Sequence, residues 1–207
     1  MVSFKTVFDE NVAEITEKRS RFIATVRHVE TEEEAVAFVN EMKTKYWDAR
    51  HNVYAYILKD GTKRYSDDGE PSGTSAMPSL NVLEGFEVVD TAVVITRYFG
   101  GTLLGTGGLV RAYSSAVKMA LENAEIVTMC LCDCLKITCD YSLWERVKKA
   151  VEDISGAVEN VDFAADVTME VSLKKENTST LIENLTDLTD GRVKIVSAGE
   201  KFTGIKL

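Results

Sequence analysis

The chain alternates between stretches in which every second residue is apolar and stretches with apolar residues every three or four positions. The first pattern is typical of strands and the second of amphipathic helices. In the first half, strands are predicted at Phe22–Val26 and 52–58, and Asp60-Gly61 is a hairpin turn into a strand at 62–66. The run 91–97 is apolar through its middle, which predicts a central strand buried on both faces.

Three helices are predicted among these strands. Thr31 followed by Glu34 is a capping box that opens the first helix. Its apolar face consists of four residues at helical spacing: Ala35, Phe38, Val39 and Met42. The second helix covers 74–85 and ends at Gly85. The third covers 108–124, with four residues in register: Val110, Tyr113, Val117 and Leu121.

The second half follows the order β-α-β-β-α-β. Its strands are predicted at 130–140, 157–164, 166–175 and 192–198, the last with a short extension at 201–206. Its helices are predicted from Ser142, as N-cap, to Ile154 and from Thr178 to Leu188. This order is that of a ferredoxin-like domain. We therefore predict an α+β protein of two domains, covering 1–127 and 128–207.

Composition and charge restrict the class of protein. Of 207 residues, 45% are hydrophobic, 28% are charged and only two are prolines, which is typical of a folded globular chain. The apolar runs are too short to cross a bilayer, and residues 1–10 lack a signal-peptide pattern. We therefore expect a cytoplasmic protein with no membrane association. The formal net charge of -9 excludes a uniformly basic nucleic-acid-binding surface, although it permits a local basic patch.

A glycine-rich loop follows the predicted central strand and holds five of the 13 glycines within nine residues. Free N–H groups at the start of the next helix favour an anion, and the flanking arginines add donors for phosphate or carboxylate. The spacing matches neither a Walker loop nor a dinucleotide fingerprint. The alternative is a tight strand-to-helix turn without a ligand. The predicted anion- or RNA-binding residues are Arg97, Tyr98, Gly100, Gly101, Gly105, Thr106, Gly107, Gly108 and Arg111.

A polar cluster precedes the second predicted helix. Three carboxylates within four residues are a candidate site for a divalent cation or an acid or base, and the alternative is a solvated turn. A hydroxyl nucleophile would need a base such as His51, but the pattern disfavours a catalytic triad. The cluster, expected beside the glycine-rich loop, comprises His51, Asp67, Asp68, Glu70, Ser72 and Thr74.

Basic residues near the N-terminus form a third candidate feature, made of Lys18, Arg19 and Arg21. Further cations extend this basic strip: Arg27, Arg50, Lys63 and Arg64. On such a strip, phosphates would bind while bases stack on nearby aromatic rings. The candidate rings are Tyr54, Tyr56, Tyr65, Tyr98 and Phe99. The alternative is a charged edge strand that resists aggregation.

Four cysteines lie close together: Cys130, Cys132, Cys134 and Cys139. The first three alternate along a predicted strand and share one face, with about 6.6 Å between neighbours. This spacing does not suit a tetrahedral zinc site, and disulfides are not expected in a reducing cytosol. We predict buried structural thiols, and neither a metal nor a cofactor.

Four blocks of the sequence resemble the YigZ/IMPACT family in order and separation. They are Lys18–Ala24, His51–Tyr56, Ser66–Thr74 and Arg97–Tyr113. The chain departs from the family pattern at Ser75-Ala76, where relatives often have Ala-Gly. The resemblance implies an N-terminal domain like the second domain of ribosomal protein S5. It also implies a ferredoxin-like C-terminal domain similar to the last domain of the translocation elongation factor.

The resemblance and the glycine-rich loop together favour a non-enzymatic, translation-associated regulatory protein. Eukaryotic family members restrain the amino-acid-starvation kinase by competing for its activator. The partner of this chain's N-terminal domain would be RNA, the ribosome or a translation-regulating protein. One alternative is an enzyme that binds a phosphorylated small molecule or nucleotide at the loop, since S5-like folds also occur in small-molecule kinases. Another is an interaction module that uses the open face of the ferredoxin-like sheet. The sequence does not predict the oligomeric state.

Overall fold

A computed structural model describes residues 3–205, and the chain divides into two compact units. Phe4–Thr128 belong to the first unit, and Met129–Ile205 with Ser3 to the second. The strands are β1 (Ser3–Val7), β2 (Asn11–Glu17), β3 (Ser20–His28), β4 (His51–Ile57), β5 (Lys63–Ser66), β6 (Thr91–Tyr98), β7 (Ile126–Cys139), β8 (Ala157–Phe163), β9 (Val167–Lys174) and β10 (Lys194–Ile205). The α-helices are α1 (Glu32–Lys45), α2 (Ala76–Gly85), α3 (Thr106–Asn123), α4 (Trp144–Asp153) and α5 (Thr178–Thr189).

The first unit is built on a five-stranded sheet in the order β2-β3-β6-β4-β5. All its strand pairs are antiparallel. The predicted central strand is β6, and every residue of it except Tyr98 is buried. The register places Tyr98 opposite Arg21 and Arg97 opposite His51. Consequently β3 and β4 begin where β6 ends, and we call this end of the sheet the Arg97 end.

Helices cover both faces of this sheet, which explains the continuous burial of β6. On one face, α2 and α3 pack through residues such as Leu83, Tyr113 and Val117. On the other face, α1 packs through Phe38 and Met42. The predicted cap of α1 is present, since the Thr31 hydroxyl accepts a hydrogen bond from the Glu34 amide at 3.2 Å.

The second unit has the predicted order β7-α4-β8-β9-α5-β10. Its strands follow the spatial order β8-β9-β7, and β10 also pairs with β7. This is the split βαβ arrangement with two crossing helices. A hydrophobic core joins the sheet to α4 and α5 through Ile137, Val147 and Leu185. The α+β class and the two-domain description are confirmed.

Several predicted boundaries are wrong. Ser142 does not cap α4: the helix begins at Trp144 after a turn in which the Leu143 amide donates to the Asp140 carbonyl at 2.9 Å. Backbone bonds therefore replace the expected side-chain cap. α3 begins at Thr106 and not at Gly108, and it buries Leu109 more deeply than Val110. β1 was not predicted, because its five residues are too few for a clear alternating pattern.

The cysteines only partly fit the prediction of core thiols. All four are free thiols. Cys139 lies in the core beside α4 and α5, and burial raises the pKa of its thiol. Cys132 is buried too, but its strand position has the opposite orientation from the core residues Leu135 and Ile137. Cys130 and Cys134 are half-buried.

No helix in the described range 3–205 is long and apolar enough to cross a membrane.

Candidate functional site

The Arg97 end of the first sheet brings together most of the predicted site residues. The β2–β3 turn is located here, with both Lys18 and Arg19 at positive φ. The loop 67–75 follows β5, and the glycine-rich loop 99–105 follows β6. Since adjacent strands in this sheet are antiparallel, these segments meet at one edge although they are far apart in sequence.

A buried ion pair forms the centre of this edge. Arg97 is 5% exposed and donates from Nη1 to Glu70 Oε1 at 2.5 Å. The same oxygen accepts a hydrogen bond from the Tyr113 hydroxyl at 2.9 Å. Burial and the Glu70 carboxylate both raise the pKa of Tyr113, which therefore keeps its proton and remains a donor. Arg97 is thus not the exposed phosphate ligand that the sequence predicted.

His51 lies beside this ion pair with one ring nitrogen already engaged. Nδ1 is 2.7 Å from the Asp68 carbonyl oxygen. Because a carbonyl only accepts, this contact assigns the proton to Nδ1. Nε2 is 3.8 Å from Glu70 Oε1. The imidazole is therefore oriented by the loop that carries Glu70, and the expected proximity of His51 to the cluster is present.

Asp67 organises the loop and the start of α2. Its Oδ1 accepts from the Ser75 hydroxyl at 2.5 Å and from the Ala76 amide at 2.8 Å, and its Oδ2 accepts from the Gly73 amide at 2.9 Å. Burial by itself would raise the pKa of Asp67, but the hydrogen bonds from Ser75, Ala76 and Gly73 outweigh it, so that the pKa is lowered. The carboxylate therefore acts as a remote cap for α2.

The three carboxylates of the polar cluster point to different partners. Asp68 accepts from the Asn52 amide at 2.7 Å and pairs with Lys43 at 3.2 Å. Asp67 faces α2, and Glu70 is buried against Arg97. In the described range, no three His, Cys, Asp or Glu side chains are grouped so as to hold a metal ion. A solvated turn is also the wrong description, because Glu70 is 8% exposed.

The hydroxyls of this loop do not form a nucleophile–base pair with His51. Thr74 is buried, and its hydroxyl donates to the Pro71 carbonyl at 2.6 Å. Ser72 is exposed. The imidazole contacts in the described structure are to Asp68 and Glu70. The arrangement therefore does not favour the triad that the sequence analysis also disfavoured.

The glycines of the 99–105 loop differ in what they do. A Cβ on Gly100 would lie 2.1 Å from the Arg19 carbonyl carbon, and the Gly100 amide donates to the Ser20 hydroxyl at 3.1 Å. Gly100 therefore allows the loop to pack on the β2–β3 turn. Gly101 and Gly105 have positive φ of 82° and 72°, which suits glycine. The alternative of a structural turn thus applies to these three.

The start of α3 has no side-chain cap, and a groove with basic residues runs along the side of its first turns. The first helical hydrogen bond in the described helix runs from the Leu109 amide to the Gly105 carbonyl at 3.0 Å, so the amides of 106–108 precede the ladder. No acidic residue occupies the first turn, and no side chain caps it. A groove of about 370 Å³, which we call the α3 groove, is lined by Ile15, Thr16, Glu17, Lys18, Leu104, Gly108, Arg111, Ala112 and Ser115.

Three cations are unneutralised at this groove. Lys18, Arg19 and Arg111 are exposed, and within residues 3–205 their side chains form no hydrogen bond or ion pair. Lys18 and Arg111 line the groove, and Arg19 follows Lys18 in the turn.

The rest of the predicted basic strip, except Arg50, is neutralised by carboxylates. Arg21 makes a bidentate pair with Glu14 at 2.8 and 2.9 Å. The other pairs are Arg27 with Glu10 and Glu41, Lys63 with Glu84, and Arg64 with Glu32. Tyr98, a predicted stacking residue, donates its hydroxyl to Asp48 at 2.8 Å. The basic surface is therefore smaller than the sequence indicated.

Two contributors to this end of the sheet were missed. Tyr113 was assigned to the core by its helical spacing, and nothing in that pattern shows that its hydroxyl reaches Glu70. Leu103 is 82% exposed and lines a second concavity with Arg50 and Phe99. An apolar residue inside a glycine-rich loop was the available signal.

These features define an α+β protein with two units. The N-terminal unit is a sheet covered by helices, with a polar surface and a glycine-rich loop at its Arg97 end, and the C-terminal unit is a split βαβ domain. Residues 18–121 match the model of the Impact N-terminal domain, and residues 137–192 match a domain of unknown function (DUF1949). The chain belongs to the IMPACT family.

Two bacterial relatives match over most of the chain, and a eukaryotic relative matches over less than half of it. Identity is 34% to IMPACT family member YvyE of Bacillus subtilis, covering 93% of this chain and 90% of that protein. It is 33% to IMPACT family member YigZ of Escherichia coli, covering 88% and 92%. Protein IMPACT of Rattus norvegicus is 34% identical over 45% of this chain and 31% of its own length. A crystal structure titled as that of a hypothetical protein has a TM-score of 0.63 at 30% identity, covering 97% of this chain and 100% of that one.

Proposed function

We propose that this chain is a translation-associated regulatory protein that binds phosphates of RNA, free or in the ribosome, in the α3 groove. Its IMPACT-family relatives, which include eukaryotic IMPACT proteins, fit a translation-regulatory family. The observation that carries the proposal is the group of unneutralised cations Lys18, Arg19 and Arg111 beside the open start of α3.

Two kinds of donor for a phosphate lie in the groove or next to it. The amides at the start of α3 point out of the helix and carry the positive end of its dipole. Lys18 and Arg111 line the same groove and add mobile positive charge. Glu17 also lines it and reduces the net charge. The balance favours a phosphate over a cation, because Lys18 and Arg111 face one carboxylate in a groove that begins beside the first turn of α3.

The enzymatic alternative receives less support from the contacts. The Asp67 carboxylate is already hydrogen-bonded to the start of α2, and the Asp68 carboxylate is bound to the Asn52 amide and Lys43. Neither is placed to hold a metal or to act as a base in the α3 groove, whose lining does not include them. A protein partner that presents carboxylates remains the competing reading, and the experiment below separates it from RNA.

The test is binding of single-stranded RNA and co-sedimentation with ribosomes by the full chain. The triple variant Lys18→Ala/Arg19→Ala/Arg111→Ala should bind RNA at least about tenfold more weakly. Its salt dependence should flatten by about 0.7 per cation removed, or about 2 in total. The matched control is Lys63→Ala/Arg64→Ala/Lys118→Ala, which removes the same charge from residues that pair with carboxylates.

The control should bind RNA within about twofold of the unmodified chain, because its cations lie outside the groove. Equal RNA affinity for the groove variant and the unmodified chain would contradict the proposal. If the unmodified chain binds neither single-stranded RNA nor purified ribosomal RNA, but co-sediments with ribosomes through the same three cations, the partner is a protein.

A further inference from the structure

A second concavity at the Arg97 end is not part of the proposed RNA site. It is lined by Arg50, His51, Glu70, Arg97, Phe99 and Leu103. We propose that it binds a small organic oxyanion, a carboxylate or a phosphate monoester, whose apolar part lies against Phe99 and Leu103. We call it the Arg97 cleft. The inference is independent of RNA binding, because the two sites share no lining residue.

The first argument is an unused donor on a buried side chain. Arg97 is 5% exposed, and its Nη1 is occupied by Glu70. Its Nε is buried and has no hydrogen-bond acceptor among residues 3–205. A buried donor without a partner is costly and uncommon in native proteins. An oxygen of a bound anion would satisfy it, since guanidinium groups bind carboxylate and phosphate through such donors.

The second argument is the charge balance of the lining. Arg97 and Glu70 neutralise each other as an ion pair. Arg50 is exposed, and its side chain has no hydrogen bond or ion pair with the described residues. Asp68 faces His51 only through its carbonyl oxygen, because its carboxylate is bound to Asn52 and Lys43. The arginines and the carboxylate that line the cleft therefore carry one excess positive charge, which favours an anion.

The third argument is the apolar rim and the size of the cleft. Phe99 is 47% exposed and Leu103 is 82% exposed, so both present apolar surface at the rim of the cleft. The Arg97 guanidinium carbon is 5.7 Å from the Phe99 ring centroid, so the ring covers the buried cation. The cleft has a volume of about 260 Å³. This lies just below the usual range for drug-sized ligands and suits a molecule of one ring or less.

The test is an NMR titration of the full chain with three probes: inorganic phosphate, phenyl phosphate and benzoate. We expect saturable amide shifts at residues lining the cleft, including His51, Phe99 and Leu103, for at least one oxyanion. Comparing phenyl phosphate with benzoate separates the phosphate class from the carboxylate class. Comparing phenyl phosphate with inorganic phosphate measures the contribution of the apolar rim to the affinity.

Two exposed variants locate the site without disturbing the buried ion pair. Arg50→Ala should weaken binding of every oxyanion that saturates by about tenfold, as expected for a lost charged hydrogen bond. Leu103→Ala should weaken only the aromatic probes, by about threefold. The control is the triple variant of the α3 groove, which should retain the affinity of the unmodified chain for all three probes.

The inference is overturned if no probe produces saturable shifts up to about 20 mM. It is also overturned if folded Arg50→Ala and Leu103→Ala variants bind as tightly as the unmodified chain. Failure of the RNA experiment leaves this result unaffected, because the α3 groove variant is the control here and the test variant there.

Discussion

Arg97 and Arg111 flank the same glycine-rich loop but have opposite environments. Arg97 ends the central strand, is buried, and shares Glu70 with Tyr113. Arg111 lies in the second turn of the next helix, is exposed, and has no partner within the described residues. Arg97 is next to last in a strand that is buried on both faces, so its side chain is buried, whereas Arg111 lies on the exposed side of α3. Equal residue types in one motif therefore have different environments: one forms a buried ion pair that maintains the fold, and the other is exposed and unpaired.

The largest expected effect comes from removing the buried cation. Arg97→Ala leaves the Glu70 carboxylate buried without its ion-pair partner, and we expect a loss of about 3–5 kcal/mol in unfolding free energy. Urea denaturation measures it. Arg111→Ala is the matched control and should change stability by less than about 0.5 kcal/mol. Similar losses for the two variants would mean that the contrast between the arginines is wrong.

The next effect concerns the loop that joins the two arginines. Gly100→Ala places a Cβ 2.1 Å from the Arg19 backbone, which forces the β2–β3 turn to move. We expect a loss of about 3 kcal/mol, at the upper end for overpacking. Gly107→Ala is the control, since its Cβ would meet only Arg111 Nη1 at 3.5 Å. It should be neutral or stabilising by up to about 1 kcal/mol. Equal thermal unfolding midpoints would refute the packing role of Gly100.

A smaller effect is expected at Asp67, with a defined pH dependence. Asp67→Asn weakens the cap of α2 and should cost about 2 kcal/mol at pH 7. The folded-state pKa is lowered, so the carboxylate stabilises the fold above its unfolded pKa, about 3.9. That stabilisation disappears as the pH falls through the lowered folded pKa. Urea denaturation from pH 7 to 3 should therefore show the two proteins converging in acid.

The control for this pH profile is Asp187→Asn, because Asp187 is exposed on α5 and its carboxylate makes no hydrogen bond in the described structure. It should parallel the unmodified chain throughout. A constant offset of Asp67→Asn at every pH would contradict the capping role.

The smallest expected effect separates the two donors to Glu70. Tyr113→Phe removes one hydrogen bond and keeps the Arg97 pair, so we expect a loss of about 1.5 kcal/mol. Tyr98→Phe is the control, since its hydroxyl bonds to Asp48 at an exposed position, and it should stay within about 0.5 kcal/mol. A loss at Tyr113 as large as that of Arg97→Ala would show that the hydroxyl, not the guanidinium, is the main partner of Glu70.

Much of the fold was predictable because local patterns and burial agree. The apolar run of β6, the Thr31 cap and the order of elements in the second unit follow from spacing alone. The prediction failed where a backbone bond replaced a side-chain cap, as at Ser142. It also did not show that Cys132 lies on the face of β7 opposite the core residues, because alternation along a strand does not reveal which face the helices cover.

The candidate site was predictable as a set of segments but not as a geometry. The glycine-rich loop, the polar cluster and the basic turn were each visible in sequence, and the register of three strands brings them to one end. Which cations are neutralised was not visible. Arg21 meets Glu14 across a strand pair, and Arg97 meets Glu70 from a loop 27 residues away.

The sequence by itself determined the family, the order of strands and helices, and the presence of glycines where the backbone must turn or approach closely. Only the tertiary structure decided which charged side chains form ion pairs and which stay unpaired at the surface. Periodicity reports how a residue faces its own strand or helix, whereas ion pairing depends on atoms brought together from distant segments. Arg97 thus became part of a buried pair and Arg111 stayed exposed, although a single block of the sequence contains both and they flank the same loop.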